Sequence, residues 1–245
     1  MGDGRLSIFE EGQVLLFDKP LYWTSFDLVN KVRIMIRSTF GIKKIKVGHA
    51  GTLDPLASGL MIICTGRATK KIDEFRDLDK EYIATFHVGE TTPSFDLETE
   101  TDNHYPTDHI TEELVREVLK NFQGEQKQLP PMYSAKLIEG KRAYEFARKG
   151  IEKNLEPVTV FFRDIELISF SVPEIKIRIV CSKGTYIRSF ARDFGTALNS
   201  GSYLSALERT AIGTNHVRNA YSLEKFQEYI EHMSSVCCSE TTKDV

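Results

Sequence analysis

Residues 48–64 read GHAGTLDPLASGLMIIC, a loop of small residues that leads directly into an apolar run. Three glycines in this loop allow tight turns and the close approach of a ligand. The short, continuous apolar run from 60 to 64 predicts a strand that is buried on both faces. Asp54 lies in the middle of the loop, and a carboxylate held there can act as a nucleophile or a base. An Asx-turn, in which Asp54 binds nearby backbone amides, is the alternative.

Outward from this stretch, predicted strands and helices alternate irregularly. Strands are predicted at 13–17, 81–88, 158–170 and 174–181, and helices at 26–38, 68–76, 111–122 and 186–198. The two adjacent strands near 158–181 favour antiparallel pairing, so an α+β fold with a mixed sheet is predicted. No linker rich in Pro, Gly or Ser divides the chain. We therefore expect one domain over residues 1–245, preceded by a loose leader at 1–12.

The composition is that of an ordinary globular protein. The 245 residues are 41% hydrophobic and 27% charged, which excludes bulk disorder and provides enough apolar residues for a core. No run approaches the roughly 18 apolar residues of a membrane span, and no secretory signal is visible. The four cysteines show no CxxC spacing, so neither a zinc ribbon nor a disulfide framework is predicted. A reducing cytoplasm is the expected location.

The charges are strongly segregated along the chain. The net charge of −3 argues against a generally basic nucleic-acid binder. However, residues 15–72 contain 10 Lys and Arg against 3 Asp and Glu, whereas residues 90–117 contain 9 acids and one base. Such a chain can present a positive face to a polyanion while it stays acidic overall. An ordinary solvated surface is the alternative.

Several cofactor and metal motifs are absent from the sequence. Neither GxxxxGK[ST] nor GxGxxG occurs, so no nucleoside-triphosphate or dinucleotide site is predicted. The six histidines show no HxxxH or HExxH spacing, so no metal site is predicted. No cofactor is expected.

Three further side chains have a functional and a structural interpretation. Arg188 follows a Gly turn at a predicted helix start and could pair with a buried carboxylate, or it could be an ordinary surface arginine. Tyr82 could stack on a nucleobase, or it could be a half-exposed strand tyrosine. His49 could act in catalysis, insert as a polar wedge, or be a satisfied loop histidine.

Taken together, these segments resemble the TruB-type tRNA pseudouridine synthases. The matching blocks, in order, are DKPLYWTSFDLV, GHAGTLDPLASGLMIICTGRATK, KEYIATFHVGETTPSFD, LPPMYSAKLIEGKRAYEFARKGI and CSKGTYIRSFARDFG, followed by YLSALERTAIG. They cover roughly residues 13–215, and their number and order make the resemblance highly specific.

The resemblance implies a role for each candidate side chain. Asp54 would be the essential carboxylate, Arg188 would pair with it, and Tyr82 would stack on the target uracil. Tyr186 and Leu207 would line the uracil pocket, and His49 would insert into the RNA as a wedge. Lys19 and Pro20 would belong to a loop that supports the active site.

The resemblance also implies a fold and a reaction. The expected fold is the pseudouridine synthase core, a long, mixed, mainly antiparallel sheet flanked by helices and loops, with an RNA-gripping insertion around 108–150. The expected reaction converts uridine 55 in the T loop of tRNA to pseudouridine, without metal, cofactor, membrane or protein partner, in a monomer. The alternative is an RNA-binding or tRNA-folding protein that uses the same basic face without catalysis.

Two features depart from the family pattern. Tyr22 occupies a position in the first block where family members often have glycine, which adds bulk and is expected to alter the local backbone. The chain also ends about 30 residues after Thr214, which is too short for the C-terminal PUA domain of many bacterial members. We therefore expect tRNA affinity to depend more on the basic face of the core.

Overall fold

The computed structural model of the protein describes residues 7–134, 137–138, 140–147, 151 and 155–240. The chain forms two compact units. One comprises Met1–Leu78 together with Arg209–Val245, and the other comprises Asp79–Glu208. The assignment of residues 1–245 to one domain stays a prediction.

The first unit begins with a short helix and a strand at its N-terminal end. Its elements up to the unit boundary are α1 (Ile8–Glu11), β1 (Val14–Lys19), α2 (Ser25–Phe40), β2 (Val47–His49), β3 (Ala57–Thr65), a 3-10 helix (Gly66–Lys71) and α3 (Ile72–Asp77). Strand β3 pairs antiparallel with both β1 and β2. The predicted buried strand at 60–64 is confirmed, since all five residues are buried.

The second unit is built around antiparallel strands. Its elements are β4 (Lys80–Val88), β5 (Glu90–Thr91), β6 (Asn103–His104), α4 (Glu112–Phe122), β7 (Gly124–Gln128), β8 (Leu137–Ile138), β9 (Lys141–Arg142), α5 (Ala143–Ala147), β10 (Val158–Ser171), β11 (Glu174–Cys181), α6 (Ile187–Ala197) and β12 (Ser202–Ile212). The strand order here is β12-β4-β11-β10-β7. Strand β12 continues across the boundary, because residues 209–212 belong to the first unit.

The chain ends in the first unit with β13 (Asn215–His216), a 3-10 turn (Val217–Asn219) and α7 (Leu223–Glu240). The β-strand pairs are mainly antiparallel, and isolated parallel bridges join Phe17 to Tyr221 and Asp96 to Leu204. The predicted α+β class with a mixed, mainly antiparallel sheet and flanking helices is confirmed.

Helix α2 shows why this part of the chain folds as predicted. Thr24 and Asp27 form a reciprocal capping box at its start, an arrangement that contributes about 1 kcal/mol. Its apolar face buries Leu28, Val29, Val32, Met35 and Ile36. The capping residues therefore fix the start of α2 directly after the loop that follows β1.

The N-terminal segment differs from the expected loose leader. Ser7 and Glu10 cap α1 reciprocally, and Phe9 is completely buried. The Phe9 ring lies 5.4 Å from that of Phe40 and 6.3 Å from that of Phe226. Residues 7–12 are therefore part of the first unit, because one buried aromatic ring ties them to its core; the remainder of the expected leader lies outside the described residues.

The second unit has an aromatic core that fixes helix α6. Phe190, on that helix, lies with its ring 5.4 Å from Phe86, 5.3 Å from Phe162 and 4.8 Å from Phe122. Buried aromatic pairs of this kind contribute about 0.5–1.5 kcal/mol beyond their buried area. The start of α6, which carries Arg188, is therefore placed by the packing of Phe190, two residues further along the helix.

Candidate active site

Asp54 lies in the loop between β2 and β3 of the first unit and is half-buried. Leu53, the residue before Asp54, is held at both its N–H and its carbonyl by one buried hydroxyl. The Ser25 Oγ accepts a hydrogen bond from Leu53 N at 2.8 Å and donates one to Leu53 O at 2.9 Å. The Asp54 carbonyl accepts from Ala57 N at 3.1 Å, so the backbone on either side of the carboxylate is anchored.

Arg209 holds the other end of the same loop. This side chain is 2% exposed and donates from Nε to Leu60 O at 2.7 Å, and from its terminal nitrogens to Thr52 O at 3.2 Å and Gly51 O at 3.3 Å. One guanidinium thus bridges strand β3 and the loop before Asp54. Sequence analysis assigned no role to Arg209, although it lies in the last of the family-like blocks.

The close packing at this point requires a glycine. A Cβ atom at Gly59 would collide with the backbone of Arg209, and the Gly59 φ of +107° is a conformation that glycine favours. At Gly59 the group that approaches closely is a neighbouring strand, and the predicted close approach of a ligand to this stretch stays a prediction.

Lys19 places a second cation beneath the loop. Its side chain is completely buried, and its Nζ donates to Trp23 O at 2.7 Å and to Pro20 O at 2.9 Å. Burial lowers the pKa of Lys19 to about 8, although the negative charge of Asp54 opposes this shift. These contacts fit the expected supporting role of Lys19, and they couple its charge to the Asp54 carboxylate.

Tyr22 joins the loop after β1 to the Asp54 loop. Its N–H donates to Pro55 O at 2.7 Å, one residue beyond Asp54. Its φ is +67°, and this left-handed conformation costs a non-glycine residue about 1–2 kcal/mol. Tyr22 therefore has a backbone conformation that glycine favours, and the expected change in the local backbone relative to the family stays a prediction.

His49 ends strand β2 and is half-buried. Burial lowers the pKa of its imidazole below the ordinary 6.5, and a hydrogen bond with the Gly51 backbone opposes that shift. The positive charges of Arg209 and Arg76 lower the pKa further. Both effects favour the neutral form of the ring.

In the second unit, Arg188 lies in the first turn of α6 and is 6% exposed. The interpretation as a surface arginine is therefore wrong, because packing of α6 buries this side chain. One of its nitrogens lies 3.5 Å from the carboxylate of Asp96, which is also buried. Sequence analysis missed Asp96 as a partner. The pairing of Arg188 with Asp54, a residue of the other unit, stays a prediction.

Asp96 belongs to the acidic segment 90–117, which the sequence analysis identified by its charge. The segment is not exposed throughout, because Thr92, Ser94 and Asp96 are all buried. The hydroxyls of Thr92 and Ser94 donate to Asp96 O at 2.7 and 3.1 Å, and the Asp96 carboxylate accepts from Glu98 N at 2.9 Å. Small polar side chains can be buried here because they form hydrogen bonds with nearby backbone groups.

The remaining predicted residues also lie in the second unit. Tyr82 is on β4 opposite Ile179 and is 9% exposed, so its interpretation as a half-exposed strand tyrosine is wrong. Tyr186 precedes α6, and the side chain of Gln128 holds it by accepting from its N–H at 2.8 Å and donating to its carbonyl at 3.0 Å. Leu207 is half-buried on β12. Their assignment to the uracil site stays a prediction.

A basic cleft of about 340 Å³ lies in the first unit, beside the 3-10 helix after β3. Its charged lining consists of Lys44, Lys46, Arg67 and Lys70, with Glu10 as a single acid. Four cations against one carboxylate give the cleft the electrostatics of a polyanion contact. This cleft lies within the segment 15–72, whose positive charge the sequence revealed.

Among the described residues, no group of three or more His, Cys, Asp or Glu is arranged to hold a metal ion. Within the same part of the chain, every helix is too short or too polar to cross a bilayer.

Comparisons with known proteins show the family of the chain. The model of the TruB family of pseudouridylate synthases (N-terminal domain) matches residues 37–187. A tRNA pseudouridine synthase B from Phocaeicola vulgatus is 58% identical over 223 residues, covering 91% of this chain and 95% of the relative. A protein of the same name from Parabacteroides distasonis is 59% identical over 223 residues, with the same coverage.

Solved structures share the fold at lower identity. A Cbf5-Nop10-Gar1 complex matches with a TM-score of 0.67 at 24% identity, and an archaeal box H/ACA sRNP Nop10-Cbf5 complex matches with 0.64 at 24%. The matches cover 90% and 91% of this chain, which spans about half the length of those chains, 55% and 54%. The chain belongs to the TruB family of pseudouridylate synthases.

Proposed function

We propose that this protein converts uridine 55 in the T loop of tRNA to pseudouridine, with Asp54 as the catalytic carboxylate. The observation that carries the proposal is the fixed Asp54 loop, anchored by Ser25 and Arg209 and coupled in charge to Lys19. The names of the bacterial relatives support tRNA as the substrate. The proposal includes action as a monomer in the cytoplasm, without metal or cofactor.

The chemistry needs one well-placed carboxylate. The C1′–N1 bond of the nucleoside breaks, the uracil turns, and a C1′–C5 bond forms; the proton leaves C5 and N1 gains a proton. Substrate and product are isomers, so no oxidant, reductant or water is consumed. Asp54 can attack uracil C6 or ribose C1′, or it can assist elimination at the sugar. All three routes require an ionised carboxylate next to the nucleoside.

The target uridine must first leave the base stack of the folded loop, at a cost of a few kcal/mol. Stacking on Tyr82 offsets part of this cost. The His49 ring can fill the vacated space, because burial and nearby arginines favour its neutral form. Tyr186 and Leu207 then provide apolar walls that hold the detached uracil until the new bond forms.

Arg188 has an electrostatic role in this proposal. A guanidinium in a water-poor site keeps an adjacent carboxylate ionised, which offsets the effect of burial. Asp96 acts as a positioning residue, because it lies 3.5 Å from Arg188 while its own backbone and carboxylate are fixed by hydrogen bonds. Substrate affinity comes largely from phosphate contacts to the basic cleft and the surrounding positive segment.

The test is incubation with an unmodified tRNA transcript followed by chemical mapping of pseudouridine at single-nucleotide resolution. We expect product at position 55 with the wild-type protein. Asp54→Asn should lower the rate at least about a thousandfold while folding and tRNA binding persist. Asp73→Asn is the matched control, because Asp73 is an exposed carboxylate of the same unit paired only at the surface with Arg76.

Two results would contradict the proposal. Normal turnover by Asp54→Asn would show that another group performs the chemistry. Tight tRNA binding by the wild-type protein without any pseudouridine would favour the RNA-binding or tRNA-folding alternative.

A further inference from the structure

The loop between β1 and α2 and the first turn of α2 present three large apolar side chains to solvent. Tyr22 is 75% exposed and Leu21 is 44% exposed in the loop, and Phe26 is 66% exposed in the helix. Single exposed apolar residues are common, but three within six positions form a local apolar surface. This apolar surface, which consists of Leu21, Tyr22 and Phe26, lies outside the residues assigned to the proposed chemistry.

Tyr22 is the member that is tied most directly to the candidate active site. Its backbone N–H bonds to Pro55 O at 2.7 Å, so its Cα position is fixed relative to the Asp54 loop. Its φ of +67° would be relaxed in glycine, yet the chain keeps a large aromatic residue there. Residues held in such strained conformations concentrate at functional sites. In the part of the chain that the structure describes, no aromatic ring or cation packs on the Tyr22 ring.

The ring chemistry and the bond to the Asp54 loop indicate the class of partner. Exposed aromatic rings stack on unpaired bases, and Tyr22 is bonded to the loop that carries the candidate catalytic carboxylate. The chain segment 15–72, in which basic residues outnumber acidic residues by 10 to 3, can supply cations for the phosphates.

We propose that Tyr22 is a stacking contact for an unpaired base of the RNA substrate, placed beside the base that enters the site. This inference rests on the proposed function, since it assumes an RNA substrate at Asp54. Tyr22 is then an RNA-positioning residue, and Phe26 and Leu21 extend the surface on which the nucleotide lies.

The experiment measures the Kd for an unmodified tRNA transcript in the Asp54→Asn background, in which the substrate is not consumed. Tyr22→Gly removes the ring but retains the backbone conformation, so the midpoint of urea unfolding should not fall. We expect this variant to bind about tenfold more weakly, which corresponds to ~1.4 kcal/mol. Tyr22→Phe and Tyr22→Trp should bind within about twofold of the parent, because stacking requires the ring and not the hydroxyl.

The matched control is Ile34→Ala, which removes a 51% exposed apolar side chain from α2. We expect this control to leave the Kd unchanged. The salt dependence provides a second measurement. A stacking residue leaves the slope of log Kd against log salt unchanged, whereas loss of a phosphate contact reduces that slope by about one.

Three results would overturn the inference. The first is a Tyr22→Gly variant that binds tRNA as tightly as the parent. The second is a change of oligomeric state in Tyr22→Gly, which would show that a second copy of the chain covers the surface. The third is a Tyr22→Phe variant that binds tRNA as weakly as Tyr22→Gly does, which would assign the effect to the hydroxyl. If wild-type protein modifies tRNA while Tyr22→Gly binds normally, only this inference fails; if wild-type protein does not bind tRNA, both proposals fail.

Discussion

The two units hold their functional residues by different kinds of contact. In the first unit, two cations donate to backbone carbonyls: Lys19 to those of the loop after β1, and Arg209 to those of the loop that carries Asp54. In the second unit, Arg188 lies against the side-chain carboxylate of Asp96. When a cation binds backbone carbonyls, it fixes the path of the chain. When a cation lies against a side-chain carboxylate, the carboxylate fixes the position of the cation and balances its charge. We therefore expect substitutions at these contacts to lower mainly stability in the first unit and mainly turnover in the second.

The largest effect on stability is expected at Arg209. Replacement by Met retains most of the side-chain volume but leaves the carbonyls of Leu60, Thr52 and Gly51 without their donor. Each buried group that loses its partner costs about 1–3 kcal/mol, so the free energy of unfolding should fall by roughly 3 kcal/mol or more. Urea denaturation measures this change.

The control for Arg209→Met is Arg163→Met in the second unit, because Arg163 is half exposed and pairs with Asp79 at the surface. We expect its effect on the free energy of unfolding to be at most about 0.5–1 kcal/mol. Equal effects of the two substitutions would contradict the role assigned to Arg209.

A smaller effect on stability and a large effect on turnover are expected for Asp96→Asn. The substitution keeps the shape of the side chain but removes the negative charge next to buried Arg188. Because Arg188 then loses its fixed orientation, the rate of pseudouridine formation should fall about a hundredfold, while tRNA affinity changes little. Single-turnover kinetics with an unmodified transcript separates the two quantities.

The control for Asp96→Asn is Asp79→Asn, which removes an exposed carboxylate from a surface pair of the same unit. Turnover of the control should match that of wild-type protein. Full activity of Asp96→Asn would show that Arg188 does not depend on this carboxylate.

The last expected effect is a pH dependence of stability that arises from Lys19. Its folded-state pKa of about 8 lies below its ordinary value of 10.5, so the unfolded chain binds more protons between these values. Stability therefore rises with pH in this window, by at most about 1.4 kcal/mol per pH unit. From pH 8 to pH 10, the free energy of unfolding of the wild-type protein should rise relative to that of Lys19→Met. A constant difference would show that Lys19 titrates normally.

Most of the regular structure follows from apolar patterns in the sequence. The helix predicted at 26–38 and the buried strand at 60–64 are present because capping residues and continuous apolar runs leave little alternative. Strand β7 was not predicted. Its sequence, GEQKQ, has no apolar alternation, and it forms by pairing with β10 at the end of the strand order.

The candidate site was predictable only in part, for a similar reason. Asp54 stands out because it lies in a loop rich in glycine. Asp96 does not, because the buried residues around it are small and polar and resemble an exposed segment in sequence. Arg209 is hidden in the same way, since its partners are backbone carbonyls of β3 and the loop, which no side-chain motif records.

The bond between Arg209 and Leu60 joins positions 149 residues apart in the sequence. During synthesis, the Asp54 loop emerges from the ribosome long before its guanidinium partner, and the entire second unit is translated in between. The loop can reach its final geometry only after residue 209 has been added. Because such distant contacts form late, we expect the first unit to complete its folding after the second.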